Sequence, residues 1–220
     1  MVTLEGVRRQ LGPGVTFYCE HFHADAGAHV ALWGPSGCGK STMLNLVTGL
    51  LKPESGVIRV NDTEVQKFGQ TEMDEFRGSQ FGFVFQTFNL LAPFTALQNV
   101  MLAMRFSNKI PRKVWRGRAT ELLERVGLSH RLNSKPSTMS VGEQQRVAIA
   151  RALANKQKII VADEPTGSLD PKTSGIIMDL LLQLCNEEQV TLLLVTHAED
   201  VAGRLEHRFD CHGLVKDETL

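Results

Sequence analysis

No run of 18 apolar residues occurs in this 220-residue sequence, so hydropathy offers no membrane-spanning helix. The first residues, Met1-Val-Thr-Leu-Glu-Gly6, lack the basic-then-apolar pattern of an export signal. An excess of either charge is also lacking. Lys and Arg number 24, Asp and Glu number 24, and the formal net charge is zero. A neutral chain gives no electrostatic reason to expect nucleic acid or an anionic membrane as its main partner. The four cysteines (Cys19, Cys38, Cys185 and Cys211) are far apart and form no C-x-x-C pair. Neither a zinc site nor a disulfide framework is expected from them, and the reading is a reduced, cytosolic protein. His21 and His23 form an H-x-H pair with no third ligand in view. No internal repeat and no low-complexity linker interrupts the chain. Its length suits one large domain, or a domain with an embedded subdomain, with a substantial core.

What is present is a complete phosphate-binding loop. Gly34-Pro35-Ser36-Gly37-Cys38-Gly39-Lys40-Ser41-Thr42 fills every fixed position of G-x-x-x-x-G-K-[ST]. It lies between the apolar run Val30-Ala-Leu-Trp33 and the apolar-periodic segment beginning at Met43, the strand–loop–helix setting the motif requires. The glycines let the backbone curl so that successive N–H groups point at phosphate oxygens. The helix that follows presents its N-terminus, the positive end of its dipole. Lys40 is expected on the β- and γ-phosphates and Ser41 on Mg²⁺.

Around the loop, residues 1–33 read as short strands with turns, and the segment from Lys40 to about Leu50 reads as a helix. Val57-Ile-Arg-Val60 and Phe81-Gly-Phe-Val-Phe85 read as strands. Residues 87–155 turn helical, with helices expected from Thr95 to Phe106, Arg112 to Val126 and Val141 to Leu153. Two further strands, Lys158 to Ala162 and Thr191 to Val195, are apolar on both faces and separated by a helical segment near 172–186. That pattern belongs to buried parallel strands in a βαβ arrangement. The fold class expected is α/β: a phosphate-loop core with a mainly parallel sheet, N-terminal antiparallel strands and an inserted helical subdomain. The core would comprise 1–86 and 156–220, and the helical insertion 87–155.

Ile159-Ile-Val-Ala-Asp163-Glu164 is an apolar strand ending in two acids. Open α/β sheets bind ligands at the carboxyl ends of their strands, so Asp163 is expected to support Mg²⁺ and Glu164 to polarise an attacking water.

Two more segments carry a family resemblance. Met139-Ser-Val-Gly-Glu-Gln-Gln-Arg-Val-Ala-Ile-Ala-Arg-Ala-Leu153 resembles the signature segment of ABC-type ATPases, and Asp163-Glu-Pro-Thr-Gly-Ser-Leu-Asp170 resembles their Walker B and D-loop. Gln86 and His197 each follow an apolar strand, as that family's Q-loop glutamine and switch histidine do. The short length and the Asp163–Asp170 segment look most like the branch of lipoprotein-release, macrolide-export and cell-division ATPase subunits (LolD, MacB and FtsE types). The resemblance implies an ATP hydrolase with ATP and Mg²⁺ as cofactors. It also implies a head-to-tail dimer of two copies and a separate integral membrane permease subunit, with the chain peripheral on the cytoplasmic face of the membrane. Gln86 would contact the metal or water, His197 the γ-phosphate. Asp170 would act across the dimer, and Ser140, Gly142 and Glu143 would complete the partner's site. Ser140-Val-Gly-Glu143 also has the form of a capping box, with Val147, Ile149, Ala150 and Leu153 facing inward. Phe88, Leu90, Leu91 and Phe94 are expected either to line a docking groove for the membrane subunit or to fill the helical core. The alternative from another class is a soluble ATPase of the same type acting on nucleic acid or ribosomes.

The sequence departs from the family pattern at two places. Counting back from the loop to the usual adenine-stacking aromatic reaches Leu11; Phe17 and Tyr18 lie nearby, as substitutes or as core strand residues. Val141 stands where the family usually has glycine, adding β-branched bulk beside the γ-phosphate of the partner site.

Overall fold

The structure is a computed structural model that describes residues 1–106 and 109–217. In chain order the strands and helices are β1 (Val2–Gly12), β2 (Val15–Ala24), β3 (His29–Trp33), α1 (Lys40–Val47), β4 (Ser55–Val60), β5 (Thr63–Glu64), α2 (Gln70–Gln80), β6 (Phe81–Phe85) and α3 (Ala96–Arg105). They continue with α4 (Trp115–Arg125), α5 (Val141–Ala152), β7 (Ile159–Asp163), α6 (Pro171–Glu187), β8 (Thr191–Thr196), α7 (Glu199–Ala202), β9 (His207–Asp210) and β10 (Val215–Asp217). The chain divides into two compact units, Met1–Arg77 with Thr191–Leu220, and Gly78–Val190.

The first unit contains an antiparallel sheet in the order β10-β2-β1-β4-β5. Gly12-Pro13-Gly14 turns β1 directly into β2, so that Val2 faces Ala24 and Gly12 faces Val15. These are long strands rather than the short ones expected. Alternation buries Phe17 and Cys19; after a change of parity at the exposed pair Glu20-His21, Phe22 is buried too, opposite buried Leu4. In the same unit β3 pairs in parallel with β8 on one side and β9 on the other. All six residues of β8 are buried, as strands covered on both faces require.

The second unit pairs β6 with β7 in parallel and packs them with α3, α4, α5 and α6. Three of these helices, α3, α5 and α6, start at a capping side chain. Thr95 and Ser140 close full capping boxes on α3 and α5, and Asp170 caps α6 with Pro171 following it. Val147, Ile149, Ala150 and Leu153 are buried, the inward face expected of α5. Gly82 on β6 runs against the end of that helix. A Cβ there would come within 2.1 Å of the Ala152 carbonyl oxygen, so only glycine fits.

Candidate functional site

The expected site residues divide between the two units. In the first, β3 delivers the chain into the loop and α1 carries it away. Gly39 is the N-cap of α1 with φ 107°, and no side chain caps the helix. That backbone favours glycine, and the space does too: a Cβ would lie 3.0 Å from Val215 Cγ2 and 3.1 Å from Phe17 Cδ2. Lys40 is buried. Its Nζ donates to the carbonyl oxygens of Gly34 and Pro35, both at 2.7 Å, and lies 3.8 Å from Cys38 Sγ. The loop therefore holds its ammonium by its own carbonyls while Pro35, Ser36, Gly37 and Ser41 stay exposed; Thr42 is half-buried in the first turn of α1. Trp33, directly before the loop, pairs with Thr196, directly before the exposed His197. The parallel register thus places the histidine at the same strand edge as Gly34. Ala198 N–H donates to Thr196 Oγ1 at 3.0 Å and turns the chain there.

In the second unit, Phe85 pairs with Asp163, so Gln86 and Glu164 leave the sheet side by side. Glu164 has φ 47°, a left-handed conformation that costs a non-glycine residue on the order of 1–3 kcal/mol. The turn behind it is tied down: Gly167 N–H donates to the Glu164 carbonyl at 3.0 Å. The Gln86 amide lies so close to Gly167 that a Cβ there would meet its Nε2 at 2.9 Å, and Ser168 Oγ donates to the Gln86 carbonyl at 3.2 Å. Asp170 accepts from Thr173 N–H at 3.1 Å; hydrogen bonds from Thr173 hold its carboxyl below the usual range.

The signature helix α5 begins beside this turn. Ser140 Oγ accepts from Glu143 N–H at 3.2 Å, and Glu143 Oε2 accepts from Ser140 N–H at 2.8 Å. Arg131 Nε donates to the other carboxylate oxygen at 3.0 Å. The Ser140 backbone N–H, aided by the Arg131 guanidinium, holds the Glu143 carboxyl below its usual value. Gly142 packs on α6, where an added Cβ would lie 3.0 Å from Thr173 Cγ2. Val141 is exposed.

Three residues that sequence reasoning missed organise these parts. Gln145, fully buried, donates from Nε2 to the Pro165 carbonyl at 2.6 Å and ties α5 to the turn after Glu164. Arg151 donates to the carbonyls of Phe88 and Asn89 at 2.7 and 2.5 Å, clamping two left-handed residues just after Gln86. Asn99 donates to the carbonyls of Leu91, Phe94 and Thr95 and accepts from Leu91 N–H. That buried asparagine shapes the loop on which Leu91 and Phe94 stand exposed rather than in the helical core. A polar side chain on the inward face of α5 or α3 was the available signal for Gln145 and Asn99.

Phe17 is a core residue beneath Gly39, whereas Leu11 and Tyr18 are exposed, with Lys216 Nζ 5.9 Å from the tyrosine ring centroid. His23 is taken by Asp25 at 3.0 Å, and no cluster of three metal-binding His, Cys, Asp or Glu occurs among the described residues.

A family model described as ABC transporter matches residues 20–167. The chain is 46% identical over 188 residues to the lipoprotein-releasing system ATP-binding protein LolD of Treponema pallidum, covering 86% of this chain and 83% of that one. It superposes with TM-score 0.83 and 39% identity on the dimeric ATP-binding cassette MJ0796 in a post-hydrolysis state bound to ADP and Pi, covering 99% and 95% of the two chains. It superposes with TM-score 0.86 and 28% identity on cbiO1 of Clostridium perfringens, part of the transporter complex cbiONQ, covering 99% and 85%.

Proposed function

Since this chain belongs to the ABC transporter family as an ATP-binding, ATP-hydrolysing subunit that works as a dimer with a membrane permease, we propose a role for each site residue and a place for the subunit in the cell. The phosphates bind along 34–42, with Lys40 on the β- and γ-groups. Glu164 takes a proton from the water that attacks the γ-phosphorus, and Gln86 beside it orients that water. The bond to the β-phosphate oxygen breaks, leaving ADP and inorganic phosphate. His197 contacts the γ-phosphate. Ser140, Gly142 and Glu143, with Asp170, complete the site of the second copy. The observation that carries this reading is the register Phe85↔Asp163, which presents Gln86 and Glu164 together at one strand edge.

Mg²⁺ suits the donors at hand. Ser41, Gln86 and Asp163 offer only hard oxygen ligands, the set this ion prefers, and Ser41 is exposed at the start of α1. When bound, the ion neutralises phosphate charge. Division of the chain into a nucleotide core (1–86 and 156–220) and a helical partner-docking part (87–155) accords with the exposed Leu91 and Phe94. No helix among the described residues is long and apolar enough to cross a membrane. We place the subunit on the cytoplasmic face of the membrane through its permease, in a system of the lipoprotein-release or efflux type. Zero net charge and transporter relatives both weigh against action on nucleic acid or ribosomes.

Glu164→Gln tests the central assignment. Its turnover should fall by about 10²–10⁴-fold, the usual worth of a general base, while ATP still binds and the protein runs as a dimer on gel filtration. Wild-type turnover in that variant refutes the role.

A further inference from the structure

Cys38 and Cys211 border one gap. A Cβ on Gly34 would lie 2.8 Å from Cys38 Sγ and 3.6 Å from Cys211 Cβ, so the two cysteines flank a point that only glycine leaves open. Cys211 is anchored at the root of the loop: its N–H donates to the Trp33 carbonyl at 2.8 Å, and its thiol donates to the Phe209 carbonyl at 3.8 Å. Cys38 is half-buried and reachable, with the Lys40 ammonium 3.8 Å from its sulfur. Positive charge beside a partly exposed sulfur is the setting in which exchange with disulfides runs. Burial pushes the Cys211 thiol up to about 12, and the neighbouring Cys38 adds to that push. Cys211 is therefore the resolving partner and not the first to react.

We propose that Cys38 and Cys211 form a thiol-modification site that takes low-molecular-weight disulfides such as glutathione disulfide and closes across Gly34, shutting the phosphate loop. The proposal rests on the loop being the ATP site. Cys38 sulfur attacks one sulfur of the reagent, giving a mixed disulfide and releasing one thiol, which carries the Cys38 proton. Cys211 sulfur then attacks Cys38 sulfur, expelling the second thiol with its own proton. Two protein thiols are oxidised to one disulfide, and one reagent disulfide is reduced to two thiols. The closed bond, about 2.05 Å between sulfurs, draws Cys38 toward Cys211 and out of the curve that aims the loop N–H groups inward.

The test treats the full-length, nucleotide-free chain with glutathione disulfide and reads two quantities separately: peptide mass maps and binding of a fluorescent ATP analogue. The wild type should yield a linked Cys38–Cys211 peptide with no retained glutathione. Its ATP affinity should fall by about tenfold or more and recover on reduction with dithiothreitol. Cys211→Ser should stop at glutathione on Cys38, with no linked peptide. A wild type that keeps glutathione on Cys38 without the link, that links Cys211 to Cys19 instead, or that links 38 to 211 and binds ATP as before overturns the proposal. The mass map needs no nucleotide, so failure of the reduced chain to bind ATP would count against the loop assignment and not against the thiol pair.

Discussion

Two helix starts in this protein face the same task and are built in opposite ways. At α1 the N-cap is a left-handed glycine, no side chain caps the helix and no acid lies in its first turn. At α5 a serine and a glutamate satisfy each other's backbone donors, and an arginine braces the glutamate. An uncapped start keeps its donors for a ligand, at some expense in stability; a capped one stands without it. Under the roles proposed above, the loop at 34–42 would complete its helix start with a phosphate, whereas 140–143 is finished beforehand and would meet an anion as a preformed surface.

The comparison breaks most readily at Lys40. Lys40→Ala removes the buried ammonium that adds its charge to the positive end of the α1 dipole, and ATP affinity should fall by about a hundredfold in a direct titration, since charged hydrogen bonds are worth about 1.5–3 kcal/mol each. Val141 is the next handle. Val141→Gly trims exposed bulk from the α5 start and should raise dimer turnover severalfold per folded molecule; a fall or no change refutes the bulk argument. Ser140→Ala opens the capping box and should cost about 1 kcal/mol, a fall of about 2–4 °C in Tm, with ATP affinity of the single chain unaltered. A drop in that affinity would mean that the two helix starts are not independent. The smallest effect is on pH. The Glu143 carboxyl sits below its usual value, so its stabilisation is present above the unfolded carboxylate value, about 4.3, and is lost as pH falls through the lowered folded one. The stability gap between wild type and Glu143→Gln should be widest near neutrality and close in acid, as thermal melts across pH would show.

The chemistry of these starts was legible in the sequence because it is local. A phosphate loop, a capping box and an Asp-Glu at a strand end are each written within ten residues. The buried parallel strands β7 and β8 were legible too, since the apolar runs Ile159–Ala162 and Leu192–Val195 make up most of each. What escaped was either polar or distant. Helix α2 buries Met73 alone and so shows no apolar stripe, and β9 is an exposed four-residue strand. Phe17 offered itself equally as adenine shelf or core, and only the packing beneath Gly39 decided between them. The meeting of Cys38 with Cys211 depends on parallel pairing of β3 with β9, which no local pattern announces.

Gly82 has a mechanical consequence. Its strand ends at Phe85, directly before Gln86, and it abuts the Ala152 carbonyl with no side chain between. Arg151, one residue earlier on α5, grips the carbonyls of Phe88 and Asn89. Backbone meets backbone at one end, and a two-pronged clamp holds the other. The residues on either side of Gln86 are thereby tied to the signature helix at two points, Gly82 and the Phe88–Asn89 pair.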